Sequence, residues 1–267
     1  MESGIYPDQS NEAYHASEGI SKSCLDLIAV SPSMYQWNKS APIDEGKTGA
    51  LDMGTALHCI LLEPEEFENR FIVSPPFNRR TNKGKEDEKA FLDECKGSGK
   101  TVMTDEEGRK LRLMRESVMA HPTARWIFEQ EGRNESSIYW NDPETGELCK
   151  CRPDRMLSSQ PFIIDVKKVD DLSRFPRHIE EFRYHVQDAM YSSGYEQHFG
   201  EAPTFLFLAV SSSANAGRYP VDVIDILADW KEAGRDLFRR DLNTYHQCRQ
   251  QDDWLHIHTL ERPRWAS

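Results

Sequence analysis

The sequence predicts an α/β core preceded by a helical section, and three features predict it. Apolar residues recur at helical spacing through residues 1–130. Over 131–267 the pattern changes first to short β-rich runs joined by turn formers. A long helical stretch, a buried-strand run and a final amphipathic helix follow, the alternation of an α/β core. With 38% hydrophobic residues, six Trp and twelve Phe, the chain 1–267 reads as one globular domain with a sizeable core.

Residues 20–38 carry Leu25, Ile28 and Ala29 at helical spacing, with Ser21 or Ser23 as cap and a break or restart at Ser31-Pro32. A second helix opens near Asp52, carries Ala56, Leu57, Ile60 and Leu61, and stops at Pro64. Residues 72–85, with Pro75-Pro76 and Arg79-Arg80, read as a mobile loop, and 84–97 and 104–120 as helices. Thr104 and Glu107 stand at capping-box spacing. Ser136–Trp140, Glu147–Met156 and Pro161–Val166 predict three strands, the first two joined by a turn at 141–146. One long helix is expected over 177–199, a buried strand at Thr204–Ser211, an edge strand at Pro220–Ile226 and a last helix at Ala228–Arg249.

No apolar run is long enough to span a bilayer, and the N-terminus lacks the basic start and apolar core of a signal peptide. A cytoplasmic protein is therefore expected. Six cysteines without a C-x-x-C pair read as reduced thiols and offer no grouped ligands for a cluster. The net charge of −12 argues against phosphate binding over the whole surface, though acidic flanks can focus a field onto a local cationic site. No phosphate-binding G-x-x-x-x-G-K-[ST] loop occurs, so no ATP motor is encoded.

The chemistry concentrates in Arg152-Pro153-Asp154 followed, after ten intervening residues, by Asp165-Val166-Lys167. Residues two apart on a strand share a face, roughly 6.5–7 Å apart. Asp165 and Lys167 therefore project together, and an antiparallel return through Leu157–Gln160 brings Asp154 alongside. Two carboxylates suit a magnesium ion that keeps open positions for a phosphate oxygen and a water. A lysine beside them can orient the water or stabilise developing charge.

These residues form the P-D-(x)n-(D/E)-x-K pattern and resemble the PD-(D/E)XK nuclease superfamily. Ser21–Leu25 with Ser31–Tyr35, Gly54-Thr-Ala-Leu-His58 and Gln187-Asp-Ala-Met-Tyr191 are similar to signatures of its RecB-like exonucleases. Asn134–Trp140, Cys151–Asp154, Tyr184–Asp188 and Gly217–Val221 resemble RecE-type nuclease domains, a likeness running from Tyr6 to Trp265.

The resemblance implies a central mixed sheet flanked by helices and an exonuclease acting 5′-to-3′ on linear duplex DNA. It implies 3′ single strands left for a RecT-type annealing protein, and a ring-like homotetramer threaded by DNA. It also implies metal ligands His58, Asp154 and Asp165 for Mg2+, with Mn2+ as a substitute. Catalytic or supporting roles fall to Lys167, Gln187, Tyr191 and Glu135. Lys168 departs from the threonine usual after the motif lysine; on a strand it points away from the site, toward the rim or Asp170 or Asp171.

Ordinary readings stand beside these. His58 could be a core histidine, Asp154 a turn residue, Asp165 with Lys167 a structural pair, Gln187 with Tyr191 a helix face, and Glu135 a turn cap. The run Arg79, Arg80, Lys83 and Lys85 suits phosphate contacts, and Glu86, Asp87 and Glu88, which follow at once, make a solvated loop nearly as consistent. His256-x-His258 has zinc spacing without a third ligand nearby. Two other functions compete: a PD-(D/E)XK endonuclease, and a non-catalytic module binding DNA ends or the annealing protein.

Overall fold

The computed structural model describes residues 1–43, 53–257, 259 and 262. The helical section opens with β1 (Gly4–Tyr6) and α1 (Asn11–Ala16), followed by α2 (Lys22–Val30) and α3 (Pro32–Ser40). The expected 20–38 helix is thus two, restarted where the Ser31 hydroxyl accepts from Met34 N and Pro32 opens the next turn. Next come α4 (Met53–Leu62), α5 (Phe67–Arg70), β2 (Phe71–Val73), α6 (Asn82–Cys95), β3 (Thr101–Met103), α7 (Asp105–Ala120) and α8 (Pro122–Glu129). The Thr104–Glu107 capping box starts α7, as its spacing predicts. The expected Asp52 start of α4 and His258 lie outside the described residues.

The second half holds β4 (Gly132–Asn134), β5 (Ser137–Asn141), β6 (Leu148–Cys151), β7 (Arg155–Leu157), β8 (Phe162–Val169), α9 (Phe175–Glu181), α10 (Tyr184–Phe199), β9 (Thr204–Ser211), β10 (Val221–Ile224) and α11 (Ala228–Gln251). A mixed sheet runs β10-β9-β8-β7-β4, parallel only between β8 and β9, and a separate antiparallel sheet runs β1-β5-β6. On β8 and β9 alternate residues feed two cores. Ile163, Phe205, Phe207 and Ala209 pack with α2, α10 and α11, and Ile164, Val166, Leu208 and Val210 with α4 and α7.

Two expectations fail here for physical reasons. The strand expected over Glu147–Met156 is broken at Arg152–Asp154. Pro153 has no N–H to donate, so the ladder with β5 ends at Cys151 and a new one with β8 begins at Arg155. Alongside, the neighbouring chain also changes sheets, from β4 to β5, through Glu135 at φ 51°. The helix expected over 177–199 is broken by Arg183 at φ 55°. The Arg183 guanidinium reaches Leu25 O at 3.3 Å, Asp26 Oδ1 at 2.9 Å and the buried Asp241, contacts that override its helical preference.

That break sets the position of α10, which carries Gln187 and Tyr191, and α11 holds it from behind. A Cβ added at Gly234 would lie 2.1 Å from His185 O. Gly234→Ala therefore must push α10 and α11 apart. It is expected to cost about 1–3 kcal/mol, the range for overpacking, read as a lower urea midpoint at unchanged slope; a wild-type midpoint would show that the helices part freely.

Candidate metal centre and active site

The two sheet crossings create the centre. Glu135 N donates to Asp154 O at 3.0 Å, so the crossings run side by side. Asp154 is buried, and its Oδ2 accepts from Val166 N at 2.6 Å, which fixes the carboxylate against β8. From the other face α4 presents His58, whose Nε2 lies 2.8 Å from Val166 O. A carbonyl can only accept, so Nε2 carries the proton and Nδ1 keeps its lone pair in the neutral ring. That Nδ1 faces Asp154 Oδ1 at 3.6 Å. One ligand atom each from His58, Glu135 and Asp154 lie within 4.8 Å of one another.

Asp165 and Lys167 project together from β8, with Lys167 Nζ 2.6 Å from Asp165 Oδ2. Asp165 Oδ1 accepts from Gln187 Nε2, which brings the i and i+4 face of α10 onto the strands. Tyr191, one turn on, packs edge-to-face on Phe205 with centroids 6.0 Å apart. Tyr184 lies under Lys167, whose Nζ is 4.6 Å from the ring centroid. Asp165 is therefore engaged by a lysine and an amide, whereas Glu135 joins His58 and Asp154.

The charges are not balanced. Burial first, then Asp165, pushes the Asp154 carboxyl well above the carboxylate range, against Lys167, the Val166 N–H and Arg152. Burial and then Asp154 push Glu135 up to about 7, against Arg152 and His58. Burial pulls Lys167 down, but Asp165 and Asp154 more than offset it and its pKa is raised. Burial, reinforced by Tyr14 and Asp165, holds the Tyr191 phenol well above its ordinary value.

A divalent cation fits this donor set. Two carboxylates are short of positive charge, an imidazole lone pair faces one of them, and Asp165 Oδ2, though close to Lys167, is buried without an aligned hydrogen bond. Oxygen donors suit Mg2+, and the imidazole nitrogen is also acceptable to Mn2+. With a cation held there, the arrangement could place a phosphate and a water against Lys167, the chemistry of phosphodiester hydrolysis.

Beside Gln187 and Tyr191 opens a cleft of about 760 Å3, lined also by Tyr14, Lys22, Lys39 and Arg249. Lys22 is paired with Asp26 at 2.7 Å, and Arg249 with Glu147. In the basic run at 79–85, Arg79 pairs with Glu88; the loop expected over 72–85 is shorter, since 72–73 belong to β2 and the Thr81 cap starts α6 at Asn82, which places Lys83 and Lys85 on a helix. Lys168 turns to Asp170 at 3.4 Å. Sequence reasoning missed Tyr184, which only the Arg183 break places, and Arg152, whose Nε reaches Glu135 Oε2 at 2.8 Å. The one available signal for Arg152 was its place before Pro153-Asp154.

Comparisons with known proteins bear on the family and the fold. The family described as "PDDEXK-like domain of unknown function (DUF3799)" matches residues 21–256. Among solved structures, one described as a "putative exonuclease" from Eubacterium rectale is similar at TM-score 0.65 and 11% identity, covering 95% of each chain. At that identity the likeness concerns the fold. No curated protein matches the chain.

Glu135 supplies a test of the charge imbalance. Its folded pKa of about 7 lies above the ordinary 4.5, so the stability it contributes is complete below about pH 4.5 and is lost as pH rises through 7. Glu135→Gln stays neutral throughout. In metal-free protein at pH 8 it should raise Tm by roughly 2–4 °C for each kcal/mol relieved, with no increase at pH 4.5, while weakening Mn2+ binding. Calorimetry in EDTA at the two pH values decides; an unchanged or lower Tm at pH 8 would show Glu135 to be well accommodated as an anion.

Proposed function

We propose, for a chain that belongs to the PDDEXK-like domain family matched over residues 21–256, that it hydrolyses phosphodiester bonds at the ends of linear double-stranded DNA. The observation that carries this reading is the convergence of His58, Glu135 and Asp154 beside the Asp165–Lys167 pair. Superfamily membership and the mixed α/β fold follow from the family match and the structural neighbour. The finer statements are proposals: Mg2+ dependence with Mn2+ as substitute, ATP independence, exonuclease action and 5′-to-3′ direction. They rest on the residue series from Ser21 to Tyr191 and on the absence of a phosphate-binding loop motif.

His58 Nδ1, Glu135 and Asp154 would hold the cation, with Asp165 completing the set through an oxygen now turned to Lys167. Bound there, the cation would lower the pKa of a water and offset charge on the phosphate. Lys167 is kept an ammonium by its two aspartates and so acts as a donor, orienting the water or the scissile phosphate. Gln187 holds Asp165 against β8, and Tyr191 backs the same face of α10. The 3′ single strands would pass to a RecT-type annealing protein. A homotetrameric ring would confine the DNA, and the setting would be the cytoplasm. No helix among the described residues is long and apolar enough to cross a membrane.

A linear duplex labelled at one 5′ end and a covalently closed circle, each with Mg2+, test the reading. Labelled mononucleotides should be released early from the line while the circle stays intact. Asp165→Ala and Lys167→Ala should each lower the rate by about 100-fold or more, as for loss of a transition-state contact. A cut circle would replace exonuclease by endonuclease, and no cleavage in Mg2+ or Mn2+ would leave a binding module.

A further inference from the structure

Glu135 occupies a backbone conformation that a glutamate rarely adopts, φ 51°. Such conformations persist where the surroundings fix them from several sides. Its backbone is fixed by the bond from its N–H to Asp154 O at 3.0 Å. Among the described residues, its side chain is held by Arg152. The Arg152 Nε donates to Glu135 Oε2 at 2.8 Å, and Nη1 donates to Gln9 O at 2.8 Å and Ser137 Oγ at 2.9 Å. The guanidinium lies 5.9 Å from the Tyr14 ring centroid, and only 11% of its side chain is exposed.

The acceptors differ in rigidity. Gln9 O is main chain, and Ser137 sits in the β5 ladder, so two fixed points orient the guanidinium plane before it meets Glu135. With Oε2 held, Oε1 has no hydrogen bond from the described residues, so an oxygen of Glu135 is left over for the cluster with His58 and Asp154. Arg152 also opposes the repulsion that Asp154 exerts on Glu135. We propose that Arg152 is the positioning residue of the metal centre: it holds the Glu135 carboxylate with one oxygen free, and so sets the affinity of the His58–Glu135–Asp154 site for a divalent cation. This rests on the metal-centre reading above but not on DNA cleavage.

Lysine keeps the charge but cannot span three acceptors in a fork. Loss of a residue that orients a metal ligand typically weakens metal binding by about 10–100-fold. Titration of the whole chain with Mn2+, followed by calorimetry and by the EPR signal of the free ion, needs no DNA. Arg152→Gln is expected to weaken Mn2+ binding by about 10–100-fold, and Arg152→Lys by an intermediate factor. Ser137→Ala, which removes one anchor and no charge, should weaken it less than either. In cleavage assays the Mn2+ concentration for half-maximal rate should rise, and the rate at saturating Mn2+ should recover toward wild type. Far-UV circular dichroism checks folding; if Arg152→Gln fails it, Arg152→Lys decides. Wild-type Mn2+ affinity in the folded variant overturns the proposal while leaving the centre intact. Absence of Mn2+ binding by the wild type, or its persistence in Glu135→Gln and Asp154→Asn, instead overturns the metal-centre reading and the proposal with it.

Discussion

The hydrogen bond from Glu135 N to Asp154 O is the joint on which the site is built. Two adjacent chains leave one sheet and enter another at the same place, and this bond ties the crossings together. Pro153 ends the β5–β6 ladder because it cannot donate, and Glu135 turns its own chain by taking a left-handed conformation. The irregular backbone at both crossings brings Glu135 and Asp154 together with His58 of α4. The cost of the irregular backbone, about 1–3 kcal/mol at such a position, is localised where two oxygens are delivered to one point.

Burial around the joint leaves a demand for a cation that Arg152 and the Val166 N–H meet only in part. Asp154 is buried against the Val166 N–H, and Glu135 is raised by burial and by Asp154. The ammonium of Lys167 is committed to Asp165 and rests on Tyr184. His58 donates through Nε2 to Val166 O, which leaves Nδ1 facing Asp154 Oδ1 at 3.6 Å. A sequence selected for stability alone would replace such a cluster with apolar residues of similar volume. Its presence beside two packed cores is what a functional site would explain.

Much of this was legible in the sequence because its causes are local. The Thr104 capping box, the Ser31-Pro32 restart and the doubly buried β9 each declare themselves within a few residues. Asp165 and Lys167 followed from strand alternation, and Gln187 from helical spacing. What was not legible depends on tertiary partners. The break at Arg183 needs Asp241, 58 residues away, to be visible. That Glu135 joins His58 and Asp154 needs the sheet crossing, since Glu135 sits outside the P-D-(x)n-(D/E)-x-K pattern that holds Asp154 and Asp165. The split of Glu147–Met156 could have been read from Pro153, a poor residue for a central strand.

The charge of −12 bears on how such a centre could meet a polyanion. Many cations are bound internally: Arg79 to Glu88, Arg239 to Asp142, Arg183 to Asp241, Arg249 to Glu147. Cations held this way release few counterions on meeting phosphates, so backbone affinity per subunit should be modest. At the centre the ammonium of Lys167, and a bound divalent ion, would be the concentrated positive charge, with acidic surroundings focusing the field there. A chain built so would hold DNA poorly by attraction alone. The proposed ring offers a different means of retention: confinement keeps the substrate near without strong contacts, and a strand that is weakly held can slide to the next phosphate after each cut. Weak surface attraction and enclosure are then parts of one design, and strong phosphate binding across the surface would work against it.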